Sequence, residues 1–232
     1  MRSRSWAFWP YNQDEPRPPN FKRPRLNIRL PTAPLFGEPL PIGDGRREVL
    51  DFLAFRRSAS AATLRAPAPD AAELAELLRL AARVPDHGKL FPWRFIVLEG
   101  EAKARFAERL EALAAGQPNP EKARGALFKI KIPPLTVAVV SRHIEANIPE
   151  WEQRLSAAAV CMTLLIAAEA AGYGANWITD WYAYAPEATA LLGLEPGEQV
   201  VGYIHIGTPA EAPLERVRPD VPALTTRWTA PD

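Results

Sequence analysis

The spacing of apolar positions divides most of the chain into helical and extended segments. In the first helical segment, REVLDFLAFRRS (47–58), one face of a helix carries Val49, Leu50, Leu53 and Ala54. Two arginines at the end of this segment are predicted to lie in the last helical turn, where cations interact favourably with the helix dipole. The pattern therefore predicts a short amphipathic helix with a basic end.

Two further helices are predicted from their end signals and periodicity. Asp70 is a good N-cap and Glu73 occupies the third helical position, so a capping box is expected before an apolar face that extends to about Val84. A longer helix begins near Pro149 and ends at Gly172, with small apolar residues on almost every side. A helix that is apolar all round is predicted to lie in the centre of the fold.

Four short apolar runs predict buried strands, and one amphipathic run between them predicts another helix. Strands and helices are therefore mixed, as in an α+β or α/β layering, without a regular βαβ series. The strand segments are WRFIVLEG (93–100), PPLTVAVVSR (133–142), GANWIT (174–179) and QVVGYIHIGTPA (199–210), and the helix is AKARFAERLEALAAG (102–116).

Residues 1–45 form a Pro- and Arg-rich N-terminal extension, whereas residues 46–232 have the pattern of a folded domain. The extension contains nine of the 25 prolines, a composition that favours irregular structure. Two interpretations remain open. The extension is either a loosely packed appendage, or an arm that wraps a partner subunit or contacts nucleic acid through its basic residues.

Charge and cysteine content restrict the class of protein. The net charge is +1, but residues 1–30 hold seven Lys/Arg and two Asp/Glu, so the basicity belongs to the extension. The single cysteine excludes an intramolecular disulfide framework and fits a reducing compartment. Residues 156–168 are uncharged but shorter than the roughly 18–20 residues of a membrane span. Residues 1–20 lack the apolar run of a secretory signal, so we expect a cytoplasmic protein without a membrane anchor.

Candidate chemistry is dominated by arginine. The sequence lacks the P-loop, Rossmann, zincin and hydrolase-elbow motifs, and its three histidines are far apart, so no metal site is expected. Arginines recur at the ends of predicted elements, and guanidinium groups with nearby hydroxyls suit a phosphate monoester. These groups are Arg56 and Arg57 with Ser58, Arg83 with His87, and Arg216 with Arg218.

The segment RVPDHGKLFPWRF, residues 83–95, joins a predicted helix to a predicted strand. It concentrates charge, one histidine, two prolines and three aromatic residues at this joint. One interpretation is a stiff loop that presents polar groups to an anionic, flat ligand. The alternative is a helix end whose carbonyls are capped by Arg83 and His87.

Four segments carry a resemblance to a known family. They are RRSAS (56–60), RVPDHGKLFPWRFIVLEG (83–100), PEWEQRLSAAAVCMTLLIAAEAAGYGANWIT (149–179) and VVGYIHIGTP (200–209). In order and spacing they resemble the nitroreductase family of flavoproteins, in particular its small bacterial branch with a PDH loop. The resemblance extends from Arg46 to Pro222 and leaves the extension outside.

This resemblance implies an α+β fold, with a central mixed or antiparallel sheet flanked by helices, and a homodimer with FMN at the subunit interface. It further implies that NAD(P)H reduces the flavin, which then passes electrons to nitroaromatics, quinones or related small molecules. Because the flavin performs hydride transfer, a ping-pong mechanism without a dedicated catalytic acid, base or nucleophile is expected.

Roles for individual residues also follow from the resemblance. The FMN phosphate and ribityl chain would be held by Arg56, Arg57 and Ser58. The FMN of the neighbouring subunit would be reached by Arg83 and His87. The isoalloxazine ring would be lined by Trp177, Ile178 and Thr179. The pocket would be closed by Gly207, Thr208 and Pro209, with Arg216 or Arg218 as a further phosphate contact.

Two positions depart from the family pattern. Ser60 stands where many members have arginine, and Phe91 stands where many have glutamine, which predicts a more apolar pocket edge.

Two other functions stay open. One alternative is a flavin-binding protein that reduces no external acceptor, or one that consumes its own reduced flavin. The other is a partner- or nucleic-acid-binding module that acts through the basic extension, for which the support is compositional only.

Overall fold

The computed structural model describes residues 28, 30–40, 43 and 45–230. The basic segment at residues 1–27, on which the nucleic-acid hypothesis depends, lies outside the described residues. Four short 3₁₀ segments, at 61–63, 87–89, 181–183 and 222–224, join the main elements. The helices are α1 (Arg47–Phe55), α2 (Ala71–Ala81), α3 (Gly100–Ala114), α4 (Pro120–Ala126), α5 (Phe128–Lys131), α6 (Glu150–Ala170) and α7 (Pro186–Ala190). The strands are β1 (Leu64–Arg65), β2 (Trp93–Glu99), β3 (Leu135–Ser141), β4 (Gly174–Ile178) and β5 (Gln199–Pro209).

The first helix is shorter than its apolar pattern predicts. It ends at Phe55, and at Arg56 the backbone turns to ψ 139°, which is extended. The prediction that Arg56 and Arg57 lie in the last turn is therefore wrong. Both instead begin an extended segment, and none of the helical residues before them is buried.

The second helix shows the predicted capping box. The Asp70 carboxylate accepts from the Glu73 amide at 2.9 Å, and the Glu73 carboxylate accepts from the Asp70 amide at 3.0 Å. The helix ends at Ala81, earlier than the predicted Val84. Pro85 follows closely, and a residue before proline disfavours helical backbone, which accounts for the early end.

Strand β5 organises the sheet. It pairs with β1, β3 and β4, and β3 also pairs with β2, all in antiparallel register. The predicted α+β class is confirmed, and the described strands form an antiparallel sheet. Side chains of β5 alternate between its faces, so Ile204 and Ile206 belong to one core cluster and Tyr203 to another.

Helices cover both faces of the sheet. α2 and α6 pack on the face of Ile204, whereas α3, α5 and α7 pack on the face of Tyr203. Among the described helices, α6 is long and apolar enough to meet the length and composition of a membrane span. It is the central core helix here, because much of its surface is buried against the sheet and α2. Its central position was predicted from its apolar pattern.

The described part of the N-terminal extension contains neither helix nor strand and lies against the domain. Ile28 packs on the core cluster around α6. The Arg79 guanidinium in α2 donates to the Pro31 carbonyl at 3.0 Å. The domain boundary near Arg46 stays a prediction.

Candidate functional site

A largely buried ion pair joins the residue that follows α1 to the end of α6. The Arg56 Nε donates to the Glu169 carboxylate at 2.8 Å, and its Nη2 donates to the Ser58 hydroxyl at 3.2 Å. The side chains of Arg56 and Glu169 are 16% and 8% exposed. Removal of either partner would leave an uncompensated charge in this setting, so the pair fixes Arg56 and, through it, Ser58.

Arg57 contacts the C-terminal segment instead. Its Nε donates to the Leu214 carbonyl at 2.9 Å. The Glu215 carboxylate lies 4.0 Å from Arg57 Nε and 2.9 Å from Arg218 Nη2. The Arg216 backbone amide and the Arg218 guanidinium hold the pKa of Glu215 below its usual range. The structure therefore brings Arg57 and Arg218 to one carboxylate, to which Arg216 contributes its amide.

A cleft of about 470 Å³ opens between the C-terminal segment and the residues after α1. One wall carries a guanidinium and three hydroxyl groups, which are donors that suit a phosphate. The opposite wall carries two carboxylates, and that of Glu215 shows that an oxyanion is accommodated between Arg57 and Arg218. The lining residues are Arg57, Ser58, Ser60, Thr63 and 211–215.

The segment after α1 is fixed against strand β4. The Ala59 amide donates to the Ala175 carbonyl at 3.0 Å, and the Asn176 side-chain amide donates to the Ala59 carbonyl at 2.7 Å. On the same strand the Trp177 indole lies over Gly202, where a Cβ atom would come within 2.0 Å of the indole nitrogen. Strand β4 thus connects the arginine-bearing segment to Trp177.

The two residues after Trp177 lie half-buried at the end of β4. Ile178 is the last residue of the strand, and Thr179 follows it. The Tyr184 hydroxyl donates to the Thr179 hydroxyl oxygen at 2.9 Å. This contact fixes the Thr179 side chain and leaves its own proton available to a ligand acceptor.

Gly207 and Thr208 lie at the opposite end of β4, because Gly207 pairs with Gly174. A Cβ at Gly207 would come within 2.8 Å of the Arg65 carbonyl oxygen, so the close approach of β1 requires glycine here. The Thr208 hydroxyl donates to the Pro67 carbonyl at 2.8 Å. These two residues are therefore held by internal contacts with β1 and with Pro67.

The loop at residues 85–92 is held by contacts with several elements. The His87 Nδ1 lies 2.7 Å from the Glu152 carboxylate at the start of α6. The Phe91 amide donates to the Asp86 carboxylate at 2.8 Å, and the Ser156 hydroxyl donates to the Pro85 carbonyl at 2.7 Å. The His87 side chain thus pairs with a carboxylate of α6 and not with carbonyls of α2, while Arg83 is exposed at the end of α2.

The two sets of candidate residues lie at opposite ends of α6. Glu169 contacts Arg56 at the C-terminal end, and Glu152 contacts His87 at the N-terminal end. Glu169 lies 17 positions after Glu152 on the helix, which corresponds to about 25 Å at 1.5 Å per residue. Within one chain, therefore, the structure does not bring Arg83 and His87 to the arginines that follow α1.

A family model described as "Nitroreductase family" matches residues 53–208. The chain belongs to the nitroreductase family. The family that the four sequence segments indicated is thus confirmed, and the chain is an oxidoreductase.

Two relatives support this assignment by sequence. The Escherichia coli K12 protein named "Putative NAD(P)H nitroreductase YdjA" is 38% identical over 167 residues, which cover 70% of this chain and 88% of that protein. The Haemophilus influenzae Rd protein named "Putative NAD(P)H nitroreductase" is 32% identical over 170 residues, which cover 71% of this chain and 90% of that protein. Most of each relative is therefore represented in this chain.

Solved structures confirm the nitroreductase-like fold. A nitroreductase-like family protein from Bacillus cereus has a TM-score of 0.67 at 21% identity, over 81% of this chain and 99% of its own. A "putative nitroreductase in complex with FMN" from Exiguobacterium sibiricum has a TM-score of 0.61 at 17% identity, over 77% of this chain and 96% of its own. At these identities the likeness concerns the fold.

Two glutamates of this nitroreductase-family chain were not singled out from the sequence. Glu169 is a lone charge in the apolar end of α6, LLIAAEAAGYG, and such an isolated charge predicts a buried partner. The isolated carboxylate could therefore have predicted a buried ion pair with an arginine. Glu152 lies in the polar first turn of α6, where nothing in the sequence distinguishes it from its neighbours.

The buried side chain of His205 lies on the same face of the sheet as Tyr203. The His205 Nδ1 is 2.8 Å from the Thr136 hydroxyl oxygen, and burial, with a smaller effect of Lys103, lowers the His205 pKa to about 3. Burial also lowers the pKa of Lys103, which donates to the Pro133 carbonyl, to about 8. His205 is therefore neutral and structural at physiological pH, consistent with a nitroreductase-family site that lies elsewhere.

Proposed function

We propose that this protein is an FMN-dependent oxidoreductase that takes electrons from NAD(P)H and reduces nitroaromatic, quinone or related acceptors by a ping-pong mechanism. The observation that carries the proposal is the cleft lined by Arg57 and Ser58, at which the Glu215 carboxylate pairs with Arg57 and Arg218. Family membership supplies the second support, and the FMN complex of the Exiguobacterium relative supplies the third. A cytoplasmic location belongs to the same proposal.

The donor set of the cleft fits the phosphate of FMN. Arg57 and Arg218 would bind the phosphate oxygens, and Ser58 would donate a hydrogen bond, in place of the Glu215 carboxylate. Because Glu215 is 61% exposed, its side chain can turn to solvent when a phosphate enters. Arg56 would act indirectly, since it is committed to Glu169 and orients Ser58.

The remaining residues would position the ring system. FMN, when bound, supplies the hydride chemistry. Trp177 and Ile178 lie on β4, which is bonded to the arginine-bearing segment, and Thr179 follows them, so the three would line the ring, and the Thr179 hydroxyl would donate to it. Gly207 and Thr208 would keep the base of the pocket closed. None of these residues is required as an acid, base or nucleophile.

The protein would act as a homodimer with FMN at the subunit interface. Arg83 and His87 lie about 25 Å along α6 from the arginines of the same chain, so they would reach the flavin of the partner subunit. Large exposed apolar side chains on α1, on α6 and in the C-terminal segment agree with this arrangement, because apolar patches of this kind mark interfaces. They are Val49, Leu50, Leu53, Phe55, Trp151, Leu155, Leu214, Val217, Val221, Leu224 and Trp228.

An absorbance spectrum of the protein purified without added cofactor tests this function. We expect flavin bands that bleach under anaerobic conditions after addition of NADPH or NADH and return after addition of a quinone. Flavin that bleaches without reducing any acceptor would favour a protein that consumes its own reduced flavin. A colourless protein that takes up no added FMN would reject the proposal.

A further inference from the structure

The N-terminal extension contacts the same region of the domain as the loop at residues 85–92. Ile28 is anchored in the core cluster, and Pro31 is fixed by the guanidinium of Arg79 at 3.0 Å. Arg79 lies near the end of α2, and the loop follows directly. The extension is therefore held beside this loop by a packing contact and a hydrogen bond.

After these anchors the extension makes a tight turn. The Glu38 amide donates to the Leu35 carbonyl at 3.1 Å, and the Leu35 amide donates to the Glu38 carboxylate at 2.7 Å. Gly37 supplies the positive φ of 85° that the turn requires. Phe36 is at the tip of this turn, and it is 96% exposed. The turn thus presents an aromatic ring outward.

The tip of the turn reaches the loop. The Lys89 ammonium lies 5.6 Å from the centre of the Phe36 ring, at cation–π distance. Phe91 is 60% exposed, and its ring meets the Trp93 ring edge-on at 6.3 Å. Lys89 and Phe91 have φ of 56° and 49°, a conformation that costs about 1 kcal/mol for each such residue. The loop is thus held under strain and presents the Phe91 ring outward.

We propose that Phe36 and Phe91 form an aromatic rim of the electron-acceptor site, which favours flat acceptors with two fused rings over smaller ones. This inference rests on the proposed function, in which the loop lies at the flavin of the partner subunit. An acceptor that stacks on the flavin would bring its second ring against these exposed aromatic side chains. Phe36 precedes residue 53, where the family match begins, so this contact would be a property of the chain's own extension.

The test compares two quinones in the full-length protein. We would measure kcat/KM for 1,4-naphthoquinone and for 1,4-benzoquinone with wild type, Phe36→Ala and Leu40→Ala, each normalised to bound flavin. Leu40 is the control, because it is a 55% exposed apolar residue of the same extension. Phe36→Ala should lower the naphthoquinone-to-benzoquinone ratio about fivefold, as expected for loss of one aromatic contact. Leu40→Ala should leave the ratio unchanged.

The outcomes separate this inference from the proposed function. An unchanged ratio in Phe36→Ala, in a protein whose flavin is reduced by NAD(P)H, overturns the aromatic rim and leaves the proposed function standing. An equal loss in both variants also overturns it, because the effect would not be specific to the ring. A wild-type protein without reducible flavin overturns the proposed function, and this inference with it.

Discussion

The two ends of helix α6 differ in how their charged residues are satisfied. At the C-terminal end, Glu169 and Arg56 form an ion pair with side chains 8% and 16% exposed. At the N-terminal end, Glu152 and His87 form a pair with side chains 44% and 63% exposed. The first end is complete within one chain, whereas the second presents its polar groups to solvent.

This difference fits a site assembled from two subunits. The Glu169 end of one subunit would supply the preorganised half of the FMN site, since it fixes the segment that carries Arg57 and Ser58. The Glu152 end would supply the other half of the site, which contributes only after two subunits associate. A pair that has already been desolvated adds rigidity, and an exposed pair can exchange partners at little cost.

The largest expected effect is on folding stability. Glu169→Gln should reduce the free energy of unfolding by about 3 kcal/mol, because Arg56 would keep a buried charge without its carboxylate. Urea denaturation measures this loss. The matched control is Glu152→Gln at the exposed end, where a loss within about 0.5 kcal/mol is expected. Equal losses at both ends would contradict the comparison.

The next effect concerns FMN binding at the preorganised end. Arg57→Ala should weaken FMN binding about 30-fold, which corresponds to about 2 kcal/mol for lost charge-assisted hydrogen bonds. Fluorescence titration of the apoprotein with FMN measures this change. Arg65→Ala is the control, because the Arg65 guanidinium bonds only to the nearby carbonyls of Ala62 and Leu64 in the hydrogen bonds described. Undiminished affinity in Arg57→Ala at low salt would argue against the phosphate role.

The sequence was a good guide to the long elements. The capping box at Asp70 and the apolar run of β3 each reflect local physics, namely side-chain capping and burial on both strand faces, whereas β2, also predicted as buried, is only partly buried. The short helices α4, α5 and α7 were not predicted, because four to seven residues contain too few turns to display a period. The apolar spacing also predicted an α1 that included Arg56. Spacing along the chain contains no information about an ion pair with a distant residue, so it could not predict this helix end.

A smaller effect is expected at the exposed end of α6. His87→Ala should weaken FMN binding roughly fivefold in the dimer, as for loss of one exposed polar contact. His143→Ala is the matched control, because His143 is also partly exposed and lies 3.5 Å from Glu145. The same titration serves for both variants. An unchanged FMN affinity in His87→Ala would mean that His87 makes only a structural contact with Glu152.

Mixed dimers would locate the two halves of the site. Combining Arg57→Ala subunits with His87→Ala subunits should restore one native site per heterodimer if the residues come from different chains. If both residues acted within one chain, each site of the heterodimer would carry one defect. A return of half the high-affinity FMN sites would therefore support assembly across the interface, and no return would contradict it.

The sequence predicted the candidate site less well than it predicted the fold. The resemblance indicated Arg56 and Arg57 together, but the structure divides them, one toward Glu169 and the other toward Glu215. Adjacent side chains in an extended segment point in opposite directions, so this division follows from the end of α1 at Phe55. It could not be predicted without knowing where that helix ends.

The smallest expected effect is a pH dependence beside the loop. Arg94, directly after Trp93, bonds the Glu198 carboxylate at 2.6 Å through both Nε and Nη2, and this contact lowers the Glu198 pKa below its usual 4.5. The stabilisation is therefore complete above pH 4.5 and is lost as pH falls through the lower folded-state value. Glu198→Gln should cost ~1 kcal/mol at pH 7.

Urea denaturation along a pH series measures this dependence. The difference in free energy of unfolding between wild type and Glu198→Gln should shrink as the pH is lowered toward 3. Glu101→Gln is the control, because Glu101, whose side chain is 82% exposed, pairs with Arg105 at the surface, where loss of the pair should cost within about 0.5 kcal/mol. A gap that stays constant down to pH 3 would mean that the loss in Glu198→Gln does not come from the charge of Glu198.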